Sequence, residues 1–383
     1  MKVEIADIFR LYGDAYRAKF GDSLLPSHRR ALRDLQACRT PELGGQLYLC
    51  QQCDEALYSY HSCQNRHCPK CQNHQANDWL QQQLGGLLPV PYFLLTFTLP
   101  KELRELARAN QKAVYNILFR ASAASLQQLA WDERFVGGQV AMVGVLHTWT
   151  RDLRYHPHVH YMVSGGGLDD DGRWRSSRPD FLVPVQALSI IFRAKVRDEL
   201  KKADLFAKVE EHVWHKAWVV HCEAVGNGAA AFKYLAPYIF RVAISNKRIL
   251  KLEDGKVTFA YKDSASQQMK SATVSAEEFI RRFLQHVLPK RFIKVRYYGL
   301  LSPSNRQLLK LARTQLGVAE VETQTSNNDA AALNNNDAAA LDDNEAATAE
   351  PPETLRCPKC GSRLIVVEKL PRQAPQPNSR EPP

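Results

Sequence analysis

No apolar run in the sequence reaches the ~20 residues that a membrane-spanning helix needs; the longest, such as residues 90–99, fall far short. Residues 1–20 carry charges throughout, so they read as an amphipathic helix and not as a secretory signal. A membrane protein and a secreted protein are therefore not expected, and the setting expected is the cytoplasm. A G-x-x-x-x-G-K-[ST] loop is absent, so chemistry driven by nucleotide hydrolysis has no phosphate cradle. Repeated βα units are absent too, which disfavours a barrel hydrolase that would use its histidines on small molecules.

Acidic residues are scarce where they would matter. The 383-residue chain has 51 basic and 40 acidic residues. Residues 318–354 hold nine of the acids and no Lys or Arg, and residues 355–383 hold six bases and two acids. That leaves 45 basic and 29 acidic residues in 1–317, a net charge of +16. A body with that excess is attracted to phosphate backbones.

The acidic segment is a drifting repeat of eight residues: NNDAAALN, NNDAAALD, DNEAATAE. At most one Leu per copy buries too little apolar surface to offset chain entropy, so it is expected to be a disordered linker. Four segments follow: residues 1–80 with N-terminal helices and a cysteine-rich module, a main domain at 85–302, the linker at 318–354, and a tail at 355–383. In the main domain, β-formers at 92–99, 140–149, 159–164, 217–224 and 257–261 alternate irregularly with helical stretches at 102–129, 184–203, 229–242 and 276–287. That order predicts an α+β fold with a mainly antiparallel sheet backed by helices, preceded by the small module and followed by a disordered tail.

Six of the nine cysteines crowd into the first module: Cys38, Cys50, Cys53, Cys63, Cys68 and Cys71. Zinc takes four N or S ligands in a tetrahedron, and each C-x-x-C knuckle offers two thiolates on one turn. Structural Zn²⁺ is expected. The knuckles Cys50–Cys53 and Cys68–Cys71 could close one site, and Cys38, Cys63 and His67, with His61 or His74, suffice for a second; spacing does not tell which ligand belongs to which ion. Cys357–Cys360 is a lone knuckle: half a site completed by another chain, a degenerate ribbon or an inert pair, with a well-formed site disfavoured.

Residues 154–161 read RYHPHVHY. On a strand, alternating His156, His158 and His160 share one face, with neighbours in the series ~7 Å apart and the outer two ~13 Å apart. Only adjacent members can chelate one ion. Pro157 belongs at a strand start, which favours His158 and His160 as the pair and leaves His156 as a further candidate ligand, a support for the ligands or a DNA contact. A third ligand is needed, and His147 on the preceding strand is the best candidate. Further on, KYLAPYIFR puts Tyr234 and Tyr238 at i and i+4, neighbours on a helical face. Lys233, Arg241, Lys247 and Arg248 are candidate contacts to DNA phosphates.

His158-Val159-His160 followed by a helix bearing Tyr234 and Tyr238 resembles the HUH endonuclease superfamily. With SCQNRHCPKCQ, LTFTLP, HTWTRDLRYHPHVH and YLAPYIFRVAISNKRI, residues 31–302 resemble the two-tyrosine rolling-circle transposases of the IS91 group. The resemblance implies a central antiparallel sheet with the histidine strand in its middle. It implies a divalent ion, Mg²⁺ or Mn²⁺, held by His158 and His160, and single-stranded DNA at element termini as the partner. It implies attack by Tyr234 or Tyr238 to give a 5′-phosphotyrosine link, in a bacterial protein that works at the nucleoid. The alternatives are a relaxase or replication initiator of the same superfamily, or a zinc-containing DNA-binding regulator without catalysis.

Overall fold

A computed structural model describes residues 3–71, 73–230, 232–233, 243–263, 266–318 and 355–374. In chain order its elements are α1 (Ile5–Phe20), α2 (Pro26–Ala37), β1 (Gly45–Cys50), β2 (Ala56–Tyr60), α3 (Asn73–Gly85), β3 (Tyr92–Thr98), α4 (Arg104–Ala109), α5 (Gln111–Ala130), β4 (Gln139–Trp149) and β5 (Tyr155–Leu168). They continue with β6 (Trp174–Ser176), α6 (Val185–Lys202), β7 (Val220–Ala224), β8 (Ile249–Glu253), β9 (Lys256–Lys262), β10 (Met269–Ser275), α7 (Ala276–Leu284), β11 (Val295–Gly299), α8 (Arg306–Gln315) and β12 (Leu364–Leu370). No described helix is long and apolar enough to cross a membrane. The chain forms two compact units, one of residues 1–72, 244–287 and 339–383, the other of 73–243 and 288–338.

The second unit is built on an antiparallel sheet in the order β11-β4-β5-β3-β7, with β6 alongside β5. The histidine strand β5 is therefore central, as expected. Strand alternation sends Phe93, Leu95, Phe97, Val159, Tyr161 and Val163 to one face, where they join the core formed with Leu118, Leu126, Phe192 and Val196 of α5 and α6. Each such side chain contributes ~1.5–3 kcal/mol by leaving water. Tyr161 keeps its hydroxyl partnered there, 2.9 Å from Ser122 Oγ. Its ring lies over Gly144, its cross-strand partner; a Cβ at Gly144 would sit 2.6 Å from the Tyr161 ring.

The opposite face is divided. Tyr92, Ala141, Val143 and Met162 pack beneath Phe232, Leu300 and Ala312, with Trp79 and Leu80 of α3 against them. The remainder of that face carries the histidines.

Three differences from the sequence reading have local causes. The helix expected over 102–129 breaks at Asn110, whose backbone leaves the helical region (φ −128°, ψ 46°) and whose side-chain amide donates to Leu106 O at 3.1 Å. Strand β5 begins at Tyr155, so it includes Pro157, but the β4–β5 register shifts between His147 and Trp149. The missing proline N–H thus falls beside an interrupted ladder. Strand β7 is shorter than expected, starting at Val220.

In the first unit, Ile5, Ile8, Phe9, Leu32 and Leu35 of α1 and α2 are fully buried, and Phe9 meets Phe283 of α7 edge to face at 5.2 Å. The backbone N–H of Ile5 donates to Asn246 Oδ1 at 3.1 Å. Residues 244–287, including the β8-β9-β10 meander, therefore belong with the N-terminal helices and not with the main domain. The tail also departs from expectation. Residues 319–354 lie outside the described residues, but β12 pairs antiparallel with β1, giving a second sheet β2-β1-β12.

Candidate metal centre

Strand pairing brings three imidazoles together. His147 of β4 lies directly opposite His158 of β5, and His160 follows on the same face. Their ring centroids are 5.4 Å (His147 to His158), 4.6 Å (His147 to His160) and 4.9 Å (His158 to His160) apart. One ring nitrogen from each lies within 4.8 Å of the others. His147 is buried and stacked on Trp149 at 4.9 Å, with Lys294 Nζ 4.8 Å from the Trp149 ring centroid; His158 and His160 are half-buried.

Hydrogen bonds set which nitrogens face outward. His158 Nδ1 donates to His156 O at 2.7 Å, and His160 Nδ1 is 2.8 Å from Thr96 Oγ1 of β3. Nε2 of each ring is then the atom available to a metal, the usual pattern in which a second partner fixes the ligand's tautomer. Burial holds the His158 pKa down at about 4. Burial and the neighbouring His158 push His160 well below its ordinary value. Burial, then His160, His158 and Lys294, do the same to His147. Neutral imidazoles are what a cation requires. The donor set fits a divalent ion.

His156 is not part of this group. Its Nδ1 accepts from Arg104 Nη2 at 2.7 Å, and burial, followed by His158 and Arg104, lowers its pKa to about 4. The sequence reading missed Thr96. It sits in LTFTLP, but only the register that pairs it with His160 reveals its role.

Tyr234, Tyr238 and Arg241 lie outside the described residues. Immediately before them, Phe232 is buried on the histidine-bearing side of the sheet, 6.0 Å from the Trp79 ring and 6.3 Å from the Tyr92 ring, and Lys233 is exposed. Lys247 is exposed, and Arg248 donates from Nε to Ala260 O at 2.7 Å; both are in the first unit.

The cysteines converge in two groups of four, which resolves the pairing left open by the spacing and draws in the C-terminal knuckle that was not expected to form a site. Cys38, Cys63, Cys68 and Cys71 form one, with Sγ–Sγ distances of 3.6 Å from Cys71 to Cys38 and to Cys63, and 3.6 Å from Cys68 to Cys38. Tetrahedral Zn–S bonds of ~2.3 Å place sulfurs ~3.8 Å apart, so the set fits zinc. Cys50 and Cys53 join Cys357 and Cys360 instead. The reason is the β1–β2 hairpin: Cys50 closes β1 at the turn, whereas Cys63 follows β2 at the other end. Six residues of β1 span ~20 Å, too far for the two knuckles to share an ion. His67 belongs to neither group; its Nδ1 is 3.2 Å from Asn65 Oδ1.

Residues 141–308 match a family described as "Putative transposase", and residues 8–99 match "Transposase zinc-binding domain". "Putative transposase y4qJ" of Sinorhizobium fredii (strain NBRC 101917 / NGR234) is 40% identical over 346 residues, which cover 84% of this chain and 87% of that protein. "Transposase for insertion sequence element IS801" of Pseudomonas savastanoi pv. phaseolicola is 30% identical over 287 residues, 70% of this chain and 68% of that one. Among solved structures, the metal-bound conjugative relaxase TrwC with oriT DNA aligns with 30% of this chain and 44% of its own, at 20% identity and a TM-score of 0.24. A likeness of that degree carries no argument.

Proposed function

The chain belongs to the IS91 family of rolling-circle transposases, and from that premise we propose that it nicks and transfers single-stranded DNA with His147, His158 and His160 as the metal-holding side chains and Tyr234 and Tyr238 as the nucleophiles. The observation that carries this reading is the convergence of the three imidazoles on one sheet face, with Nδ1 of His158 and His160 engaged in hydrogen bonds so that Nε2 is left for a metal.

A divalent ion such as Mg²⁺ or Mn²⁺ bound there would draw charge from the scissile phosphate. The protein's own part is to hold the reacting groups. One tyrosine hydroxyl forms a bond to phosphorus, the bond from phosphorus to the 3′ oxygen breaks, and the phenol's proton passes to that oxygen. The products are a 5′-phosphotyrosine and a free 3′-OH. The phosphodiester energy stays in the link, so rejoining requires no nucleotide. The second tyrosine then accepts a second strand. Phe232 supports this assignment, because it ties the start of the tyrosine-bearing segment to the sheet face that bears the histidines. Lys233, Arg241, Lys247 and Arg248 are proposed to hold the backbone phosphates, and the Cys38, Cys63, Cys68 and Cys71 site to hold structural zinc. The work belongs where a bacterial cell keeps its DNA, the nucleoid.

A relaxase or initiator would share these steps and differ in its DNA, and family membership favours the transposase. The test is incubation of element-terminal single strands with protein and Mg²⁺ or Mn²⁺. A denaturant-resistant protein–DNA adduct, lost when Tyr234→Phe and Tyr238→Phe are combined, is the expected result. An adduct that survives the double substitution removes the tyrosines from the mechanism.

A further inference from the structure

The zinc-binding family match ends at residue 99, yet a second set of four thiols draws half its members from beyond residue 350. We propose that Cys50, Cys53, Cys357 and Cys360 bind one Zn²⁺ in a closed tetrathiolate site that clasps the C-terminal strand β12 onto the N-terminal hairpin.

Three features of the structure support it. First, the sulfurs are spaced for a metal and not for disulfides. Cys50 Sγ is 3.4 Å from Cys360 Sγ and Cys53 Sγ is 3.6 Å from Cys357 Sγ, against ~2.05 Å for a disulfide; all four are free thiols.

Second, the two knuckles are the same local structure built twice. In Cys50-Gln-Gln-Cys53-Asp54, Asp54 N donates to Cys50 O at 3.0 Å, and Cys50 N donates to Glu55 O at 3.0 Å. In Cys357-Pro-Lys-Cys360-Gly361, Gly361 N donates to Cys357 O at 2.9 Å, and Cys357 N donates to Ser362 O at 2.7 Å. The residue after the second cysteine is left-handed in both, Asp54 at φ 54° and Gly361 at φ 77°. Glycine and aspartate are among the residues that adopt this conformation most readily, so both sequences suit the turn.

Third, apart from its ladder with β1, the segment is held by little apolar burial. The apolar cluster at this junction has only Tyr48, Cys50, Cys357 and Leu364 buried, with Cys53, Leu57 and Leu355 against them. Of β12, Leu364 alone is buried, and Val366 and Val367 are exposed. A cluster this small gains stability from a metal staple, as small apolar cores do. Lys359 and Glu55, 3.5 Å apart, link the knuckles at the surface, where an ion pair contributes little.

Coordination converts up to four thiols to thiolates and releases their protons to solvent. The resulting excess negative charge sits beside Lys359. The site closes the chain from Cys53 to Cys357 into a loop that contains the entire second unit and the acidic repeat. The clasp is independent of the nicking chemistry, and its test does not read activity.

The experiment uses the full-length, zinc-loaded protein with a protease recognition sequence placed within 319–354. Bound zinc is counted by mass spectrometry of the metal. Combined Cys357→Ser and Cys360→Ser substitution is expected to remove one zinc per chain. After cleavage, the C-terminal fragment is expected to co-elute with the body when zinc is bound and to separate after chelation or in the double variant. An unchanged zinc count overturns the site; a fragment that stays after chelation, or leaves while zinc is bound, overturns the clasp. Thiol alkylation supplies a readout without mutation. Cys360 is exposed, so it reacts readily unless ligated; protection lost on chelation supports the site, and rapid alkylation of the zinc-loaded chain overturns it.

Discussion

Replacing Thr96 by valine tests whether the hydrogen bond to His160 orients a ligand or merely fills space. Valine keeps the volume, the branching at Cβ and the strand preference of threonine. It removes the oxygen that lies 2.8 Å from His160 Nδ1. Folding should lose only the net worth of one hydrogen bond, ~0.5–1.5 kcal/mol. Metal affinity should fall further, because an imidazole without its second partner loses its tautomer and angle. Such losses run ~10–100-fold, or ~1.4–2.8 kcal/mol. The assay is the Mn²⁺ dependence of covalent adduct formation on a single-stranded oligonucleotide. The half-saturating Mn²⁺ concentration should rise by that factor, with the rate recovering at saturation, and Thr96→Ser should restore most of it. An unshifted Mn²⁺ curve would refute the reasoning. A rate depressed equally at every Mn²⁺ concentration would also do so, since that outcome describes damage to the sheet and not to the ligand.

Combined His158→Ala and His160→Ala should abolish adduct formation while leaving the circular dichroism spectrum and most DNA affinity intact; retained cleavage would remove these side chains from the metal site. Gly144→Ala should destabilise the second unit by ~1–3 kcal/mol through its clash with the Tyr161 ring, read as a lower unfolding midpoint, and an unchanged midpoint would show that the ring moves aside freely. Removing tightly bound zinc should expose residues 38–71 to protease, and an unaltered digestion pattern there would count against a structural ion.

Period-two alternation was enough to place His158 and His160 on one face of β5 and to send Val159 inward, because that periodicity is a property of any strand. Proposing His147 needed only the assumption that consecutive strands pair. Thr96 was hidden because its role depends on the register between β3 and β5, which no spacing within either strand reveals. The zinc pairing was open for a similar reason. Two knuckles fourteen residues apart in sequence could meet, but strand β2 between them carries their ends apart, and the neighbour of Cys50 lies some three hundred residues away. The same non-local logic hid the placement of residues 244–287. Their helix α7 shows a clear apolar face, but nothing in that face says it packs against Phe9.

Strand β5 threads two chemistries through one backbone, greasy residues on one side and imidazoles on the other. A slide of a single position against its neighbours would drive His158 and His160 into the hydrocarbon interior and turn Val159 and Tyr161 out to water. The cluster of three imidazoles and the apolar face beneath it are therefore set by one and the same register, and a slip that spoils either spoils both.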